Sequence, residues 1–184
     1  MKMPLNPAGG TVEPTPSALR VVRVLVVDDS AFVRKVVREM LSRSAFIEVV
    51  GAARDGEEAL RLADELKPDV VTCDLMMPQL DGVGFVREQM ARQPLPILIL
   101  TATPQDAELA MDALEAGAVD FVQKPTALAT EELLGIREEL VEKVRAAARA
   151  PRSTLSPPTA MPRALGARGS EVAAGGRRNV DLVL

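Results

Sequence analysis

Five times between residues 20 and 149, a short β-rich apolar run gives way to a polar turn and then to a helical pattern. The runs are Val21–Val27, Ile47–Gly51, Asp69–Cys73, Leu95–Leu100 and Ala118–Val122, and the helical patterns cover about 31–43, 56–66, 82–92, 104–116 and 130–149. The runs are nearly continuous in Val, Ile and Leu, as expected of strands covered on both faces; a strand with one wet face would alternate. Ser30 and Thr103 read as helix N-caps, the latter with Pro104 at the first helical position, and Gly117 as a left-handed cap closing the fourth helix. In the last helix Leu133, Ile136, Leu140 and Val144 form one apolar stripe, with Glu131, Glu132, Arg137 and Glu138 facing out. This alternation specifies an α/β chain, an open doubly wound parallel sheet built as (βα)5 with right-handed crossovers. No stretch approaches the roughly 20 apolar residues of a membrane helix, so no membrane segment is expected.

Ligands of such sheets bind beyond the carboxyl ends of the strands, where the strand order reverses. Asp28 and Asp29 follow the first run, Asp74 ends the third, Thr101 the fourth, and the fifth leads into Lys124-Pro125. In a flavodoxin-like order 2-1-3-4-5 the first and third strands are neighbours, which gathers the three carboxylates into one pocket. Three like charges need a cation there, and hard oxygen ligands with open water positions suit Mg²⁺, or Mn²⁺ in its place. Thr101 offers a hydroxyl and Lys124 a fixed positive charge on the pocket's other side. A dianionic phosphoryl group on a carboxylate wants that set of a divalent metal, an ammonium and a hydroxyl donor.

The absences narrow the chemistry. The chain has no His, which removes histidine phosphotransfer, Ser-His-Asp catalysis and His-ligated metal from its own activities. Its one cysteine, Cys73, excludes internal disulfides and suits a reducing cytoplasm; beside Asp74 it reads as a packed small hydrophobe. Met76 and Met77 read as packing, and Gly82 and Gly84 as shaping a turn. With no Trp or Tyr and four Phe, stacking on single-stranded nucleic acid is not expected. Residues 151–180 hold five Arg against Glu171, a net of +4, which leaves −8 on the remainder of a chain whose total is −4. With four prolines and four glycines, that segment cannot bury enough surface to offset its ordering entropy. Residues 150–179 therefore read as a flexible linker, residues 1–19 as a similar disordered leader without a secretory signal, and 180–184 as the stub of a following domain's first strand.

The motifs Leu25-Val-Val-Asp-Asp-Ser30, Asp69-Val-Val-Thr-Cys-Asp-Leu-Met-Met-Pro78 with Asp81-Gly82, Leu100-Thr-Ala102 and Gly117-Ala-Val-Asp-Phe-Val-Gln-Lys-Pro125 resemble the receiver domain of two-component response regulators, over residues 21 to about 148. The resemblance implies that Asp74 is the phosphoacceptor, taking its phosphoryl group from the phosphohistidine of a sensor histidine kinase. It implies that Mg²⁺ is bound by the side chains of Asp29 and Asp74 and the backbone carbonyl of Met76, with Asp28 acting through a metal-bound water. Thr101 and Lys124 match the residues that contact the phosphoryl oxygens and relay its presence. Phe121 stands where the family's switch aromatic lies, and reads equally as an ordinary aromatic at a strand end.

Among receivers, the segments Asp28–Lys35, Ile47–Glu58 and Asp120–Pro125 look most like those of the chemotaxis protein-glutamate methylesterases. In that family a receiver and linker lead into a serine-hydrolase domain; Thr101-Ala-Thr stands where a pair of serines is frequent. The resemblance implies a chemotaxis-type kinase partner and a C-terminal output, a chemoreceptor methylesterase and glutamine deamidase (a carboxylic ester hydrolase) whose catalytic residues this chain lacks. Chemoreceptors would be met through that output. A receiver of a DNA-binding transcriptional regulator is the alternative, although nothing after residue 150 reads as a helical DNA-binding domain. A dehalogenase-like phosphatase is excluded, because it needs an Asp-x-Asp loop where this chain has adjacent Asp28 and Asp29.

Overall fold

The computed structural model describes residues 20–101, 106–124, 130–151 and 155, the side chains of 130–133 excepted. Five strands, β1 (Val22–Val27), β2 (Ile47–Ala53), β3 (Val70–Asp74), β4 (Ile97–Thr101) and β5 (Asp120–Gln123), alternate with α1 (Ala31–Ser42), α2 (Gly56–Leu66), α3 (Gly82–Arg92), α4 (Ala107–Glu115) and α5 (Thr130–Arg149). All pairings are parallel, in the order β2-β1-β3-β4-β5. The expected (βα)5 sheet and strand order are those observed. The leader, residues 152–154 of the linker, everything after residue 155 and the Thr103-Pro104 cap lie outside the described residues.

Alternation along the strands divides the core in two. Leu25, Val27, Val71, Cys73, Ile97 and Ile99 meet Leu60 of α2, Phe85 and Met90 of α3 and Ala110 and Ala113 of α4. Val24, Val26, Leu98, Leu100 and Val122 meet Val37 and Leu41 of α1 and Leu140 and Val144 of α5. Continuous apolar strands are thus a consequence of helices on both faces. Arg137, expected to face out with Glu138, is instead half-buried, because the α5 stripe rotates it toward α1. Leu155, within the expected linker, packs against the first cluster, on the face opposite α5.

Helix starts follow local chemistry. The Ser30 hydroxyl accepts from Val33 N at 3.4 Å, and Asp55 and Asp81 cap α2 and α3, accepting from Glu58 N at 2.8 Å and Gly84 N at 2.7 Å. Gly117 closes the turn after α4 at φ +114°, as expected of a residue without a Cβ.

Thr72 is fully buried and its hydroxyl has no hydrogen-bond partner among the described residues. Its neighbours Val71 and Cys73 point into the α2–α4 side, so Thr72 points to the α1/α5 side, where Val would fill nearly the same volume. Thr72→Val removes an unsatisfied polar group and should stabilise the domain by about 1 kcal/mol, a rise of roughly 3–5 °C in melting temperature. A calorimetric melt no higher than that of the wild type would mean that the hydroxyl has a partner.

Candidate functional site

The sheet's ladder reaches the acidic residues themselves. Asp74 is the last residue of β3 and pairs with Leu100, and Thr101 ends β4 opposite Gln123. Both strands run one residue further than their apolar patterns, so these side chains are set by sheet hydrogen bonds rather than by loops. Because β1 and β3 are neighbours, Asp28, Asp29 and Asp74 converge, with a carboxylate oxygen from each within 4.8 Å of the others. Asp28 is fully buried and Asp74 is buried, whereas Asp29 is exposed at the pocket's mouth.

Lys124 stands differently from expectation. Its ammonium is not across the pocket but inside it, 2.9 Å from Asp28 Oδ2 and 2.6 Å from Asp74 Oδ2, with its side chain 10% exposed. Its backbone N donates to Thr101 O at 2.6 Å, which fixes the lysine to the end of β4. Burial works against the Lys124 charge, but the adjoining Asp74 and Asp28 carboxylates outweigh it, so the group holds its proton above the ordinary lysine range. Burial lifts the Asp28 carboxyl above its usual range, and Lys124 draws it back only in part.

The remaining oxygens decide whether a metal fits. Asp28 Oδ1 accepts from Ser30 N at 2.9 Å and Asp74 Oδ1 from Met76 N at 3.1 Å. Asp28 Oδ2, although close to Lys124, has no aligned hydrogen bond. A buried, under-satisfied carboxylate oxygen beside two further carboxylates makes an all-oxygen set suited to a hard divalent cation. The backbone of Met76 adjoins the pocket, and its side chain is 62% exposed beside it.

Thr101 and Phe121 lie together about one cavity. That cavity, of about 390 Å³, is lined by Thr101, Ala107, Ala110, Met111 and Phe121. The Thr101 hydroxyl lies 3.5 Å from Val122 O, and the Phe121 ring points outward, half exposed. Lys143 of α5 holds it there: its Nζ is 5.3 Å from the ring centroid, donates to Phe121 O at 2.7 Å, and pairs with Asp120 and Glu139.

Sequence reasoning missed Lys143, Arg34 and the role of Gly82. The Arg34 guanidinium donates to the carbonyls of Asp28 at 2.7 Å and Asp29 at 3.0 Å, tying the loop that carries both carboxylates to α1; its position one turn into the helix was the only signal. Gly82 and Gly84 do not shape a turn through backbone freedom, since neither has a positive φ. A Cβ on Gly82 would lie 2.2 Å from Asp74 O, so the residue lets α3 start against the backbone of Asp74. Cys73 is the packed hydrophobe expected: burial pushes its thiol well above the ordinary range, and the nearby Asp74 charge adds to that.

A five-stranded 2-1-3-4-5 sheet with three carboxylates, a lysine and a threonine at its strand ends is the arrangement of a phosphorylation-type signalling domain. The family model of the response regulator receiver domain matches residues 24–135, and the chain belongs to that family. It is 49% identical over 154 residues to protein-glutamate methylesterase/protein-glutamine glutaminase 5 of Myxococcus xanthus, covering 83% of this chain and 44% of that protein. It is 52% identical over 132 residues to the protein of that name from Symbiobacterium thermophilum, covering 71% and 36%. The crystal structure of the response regulator domain of Thermotoga maritima CheB superposes with a TM-score of 0.65 at 41% identity, covering 72% of this chain and 99% of that one. The chain spans less than half the length of the curated relatives named here. Among the described residues, no helix is long and apolar enough to cross a membrane.

Proposed function

We propose that this chain is a phosphoacceptor switch. Asp74 takes a phosphoryl group from the phosphohistidine of a chemotaxis-type sensor kinase and controls a C-terminal chemoreceptor methylesterase/glutamine deamidase in the cytoplasm. The observation that carries the reading is the placement of Asp74: a buried carboxylate, fixed by the end of β3, 2.6 Å from an ammonium and beside two further acids. In the transfer a carboxylate oxygen of Asp74 bonds to phosphorus while the P–N bond to the donor imidazole breaks, and the imidazole leaves with a proton from its surroundings. Asp29, Asp74 and the Met76 carbonyl would hold Mg²⁺ directly and Asp28 through water; the ion supplies charge neutralisation for the phosphoryl oxygens. Lys124 contacts one phosphoryl oxygen and keeps the product's negative charge paired.

The relay starts at Thr101. Among the described residues its hydroxyl has a long contact to Val122 O to give up, and a phosphoryl oxygen on Asp74 is a stronger acceptor. Drawing Thr101 toward Asp74 opens the cavity beside Phe121, whose ring can then leave Lys143 and turn inward, changing the surface of α4, β5 and α5. The methylesterase output is supported by the relatives, which continue well beyond the span they share with this chain. Residues 150–179 would tether it, and residues 180–184 would begin its first strand.

The test is incubation with acetyl phosphate with and without millimolar Mg²⁺, read by intact mass and by mapping the modified peptide. One phosphoryl group, acid-labile in the manner of an acyl phosphate, should appear on Asp74 only when Mg²⁺ is present. Modification elsewhere, or at the same rate in chelator, would refute the assignment.

A further inference from the structure

Away from the acidic pocket, a groove of about 610 Å³ runs between α1 and α5. α1 leaves the acidic end of the sheet and descends for 12 residues, so the groove's α1 end lies about 18 Å from that pocket. On α5, Arg137, Val141, Arg145 and Arg149 recur every four residues and form one row; Arg43, the C-cap of α1, faces them, with Met40 and Val141 as an apolar floor.

We propose that this groove docks a carboxylate-rich peptide segment of a partner protein, one carrying an apolar side chain for the floor. Of the groove's arginines, Arg137 pairs with Glu138 at 3.7 Å, whereas Arg43, Arg145 and Arg149 make no ion pair with a described residue. Arg145 is pre-positioned by stacking on Phe46, 5.1 Å from the ring centroid. Two helix C-termini absorb roughly one positive charge between them, and Glu138 and Glu142 offset two of the four arginines, which leaves a surplus of about one.

Neither flanking segment has the charge of the occupant. Residues 151–180 are themselves basic, and Leu155 has already passed to the opposite face of the sheet. Residues 1–19 hold one Lys and one Glu. A positive groove on a domain that is otherwise acidic orients an acidic partner onto this face. Nucleic acid fits less well, because a phosphate backbone has no apolar side chain to set against the floor of Met40 and Val141. The groove is remote from Asp74, so docking and phosphorylation are compatible, and binding does not depend on the phosphoryl group.

The probe is the synthetic peptide acetyl-Glu-Glu-Leu-Glu-Glu-amide, titrated into isotope-labelled protein while amide resonances are followed. Saturable shifts should map to residues 40–46 and 137–149, weaken with added salt, and be absent with a peptide in which Gln replaces each Glu. Arg149→Glu, a fully surface change, and Arg145→Glu should each weaken binding about tenfold, with melts showing that both variants remain folded. The proposal is overturned if the peptide shifts map elsewhere, if charge reversal leaves affinity unchanged, or if the Gln peptide binds as well. It is equally overturned if a single-stranded oligonucleotide binds the groove more tightly, or if sedimentation shows the groove filled by a second copy. The measurement needs no phosphorylation, so a failure of the Asp74 assignment leaves it standing.

Discussion

The Lys124→Met protein is expected to be about 3–5 kcal/mol less stable than the wild type at neutral pH, because removing one member of a buried ion cluster strands the others. The ammonium lies 2.9 Å from Asp28 and 2.6 Å from Asp74, and all three groups are buried. The deficit has a pH signature. Burial already raises the Asp28 carboxyl, and Lys124 supplies more of the opposing pull than the Ser30 N–H does, so the variant's Asp28 should titrate higher still. A carboxyl whose folded pKa exceeds its unfolded value binds more protons in the folded state, so stability falls as pH rises from 3.8 through the raised folded pKa. The deficit should therefore grow with pH across that window and level off above it. Millimolar Mg²⁺ should restore part of the loss by binding the folded state alone. Urea melts across that pH range decide the matter; a variant as stable as the wild type at neutral pH would show that Lys124 does not neutralise this pocket. Asp74→Asn is the contrasting change: it keeps shape, leaves Lys124 paired with Asp28, and should shift stability by no more than about 1 kcal/mol. It should take up no phosphoryl group at all.

Gly82→Ala should damage both fold and chemistry through a single methyl group. Its Cβ would sit 2.2 Å from Asp74 O and 2.8 Å from Leu75 Cα, both backbone atoms that cannot rotate away. Gly82 N also donates to Leu75 O at 3.0 Å, so α3 cannot retreat without losing that bond. Overpacking of this kind costs about 1–3 kcal/mol or more. The carbonyl pressed upon belongs to Asp74, and displacing a reacting group by about 1 Å can cost on the order of a hundredfold in rate. Phosphorylation by acetyl phosphate should therefore slow by one to two orders of magnitude in protein that is still folded at low temperature. Gly135→Ala is the control: nothing lies within 4 Å of its Cβ, and Ala should stabilise α5 by about 0.5–1 kcal/mol. Equal melting temperatures for Gly82→Ala and the wild type would mean that α3 is not seated against Asp74 as described.

Part of the site was readable before any coordinates because topology carries it. Strand ends in a doubly wound sheet converge, so polar residues placed after the first, third, fourth and fifth apolar runs had to share a neighbourhood. Asp28, Asp29, Asp74, Thr101 and Lys124 do so. Their pairing was not readable. Strand topology alone puts Lys124 on the pocket's other side, but a long flexible side chain goes where unpaired buried charge makes its position most favourable. The outward Phe121 was likewise beyond reach, since its partner Lys143 is 22 residues away on a helix whose rotation depends on how Leu140 and Val144 pack.

Periodicity and the chemistry of strand ends were enough, by themselves, to determine the (βα)5 sheet and the polar residues at its strand ends, while the strand order came from the flavodoxin-like type the pattern resembles. The first two depend on local pattern: apolar runs of strand length, helix caps such as Ser30, and one carboxylate or hydroxyl at each turn. The tertiary structure alone decided that Lys124 lies between Asp28 and Asp74, that Gly82 must lack a side chain, and that the α5 arginines form a row beside Arg43. Those are contacts between elements distant in sequence. Their geometry follows from how helices of particular side-chain volume settle on a close-packed sheet, where a shift of an ångström separates an ion pair from a clash.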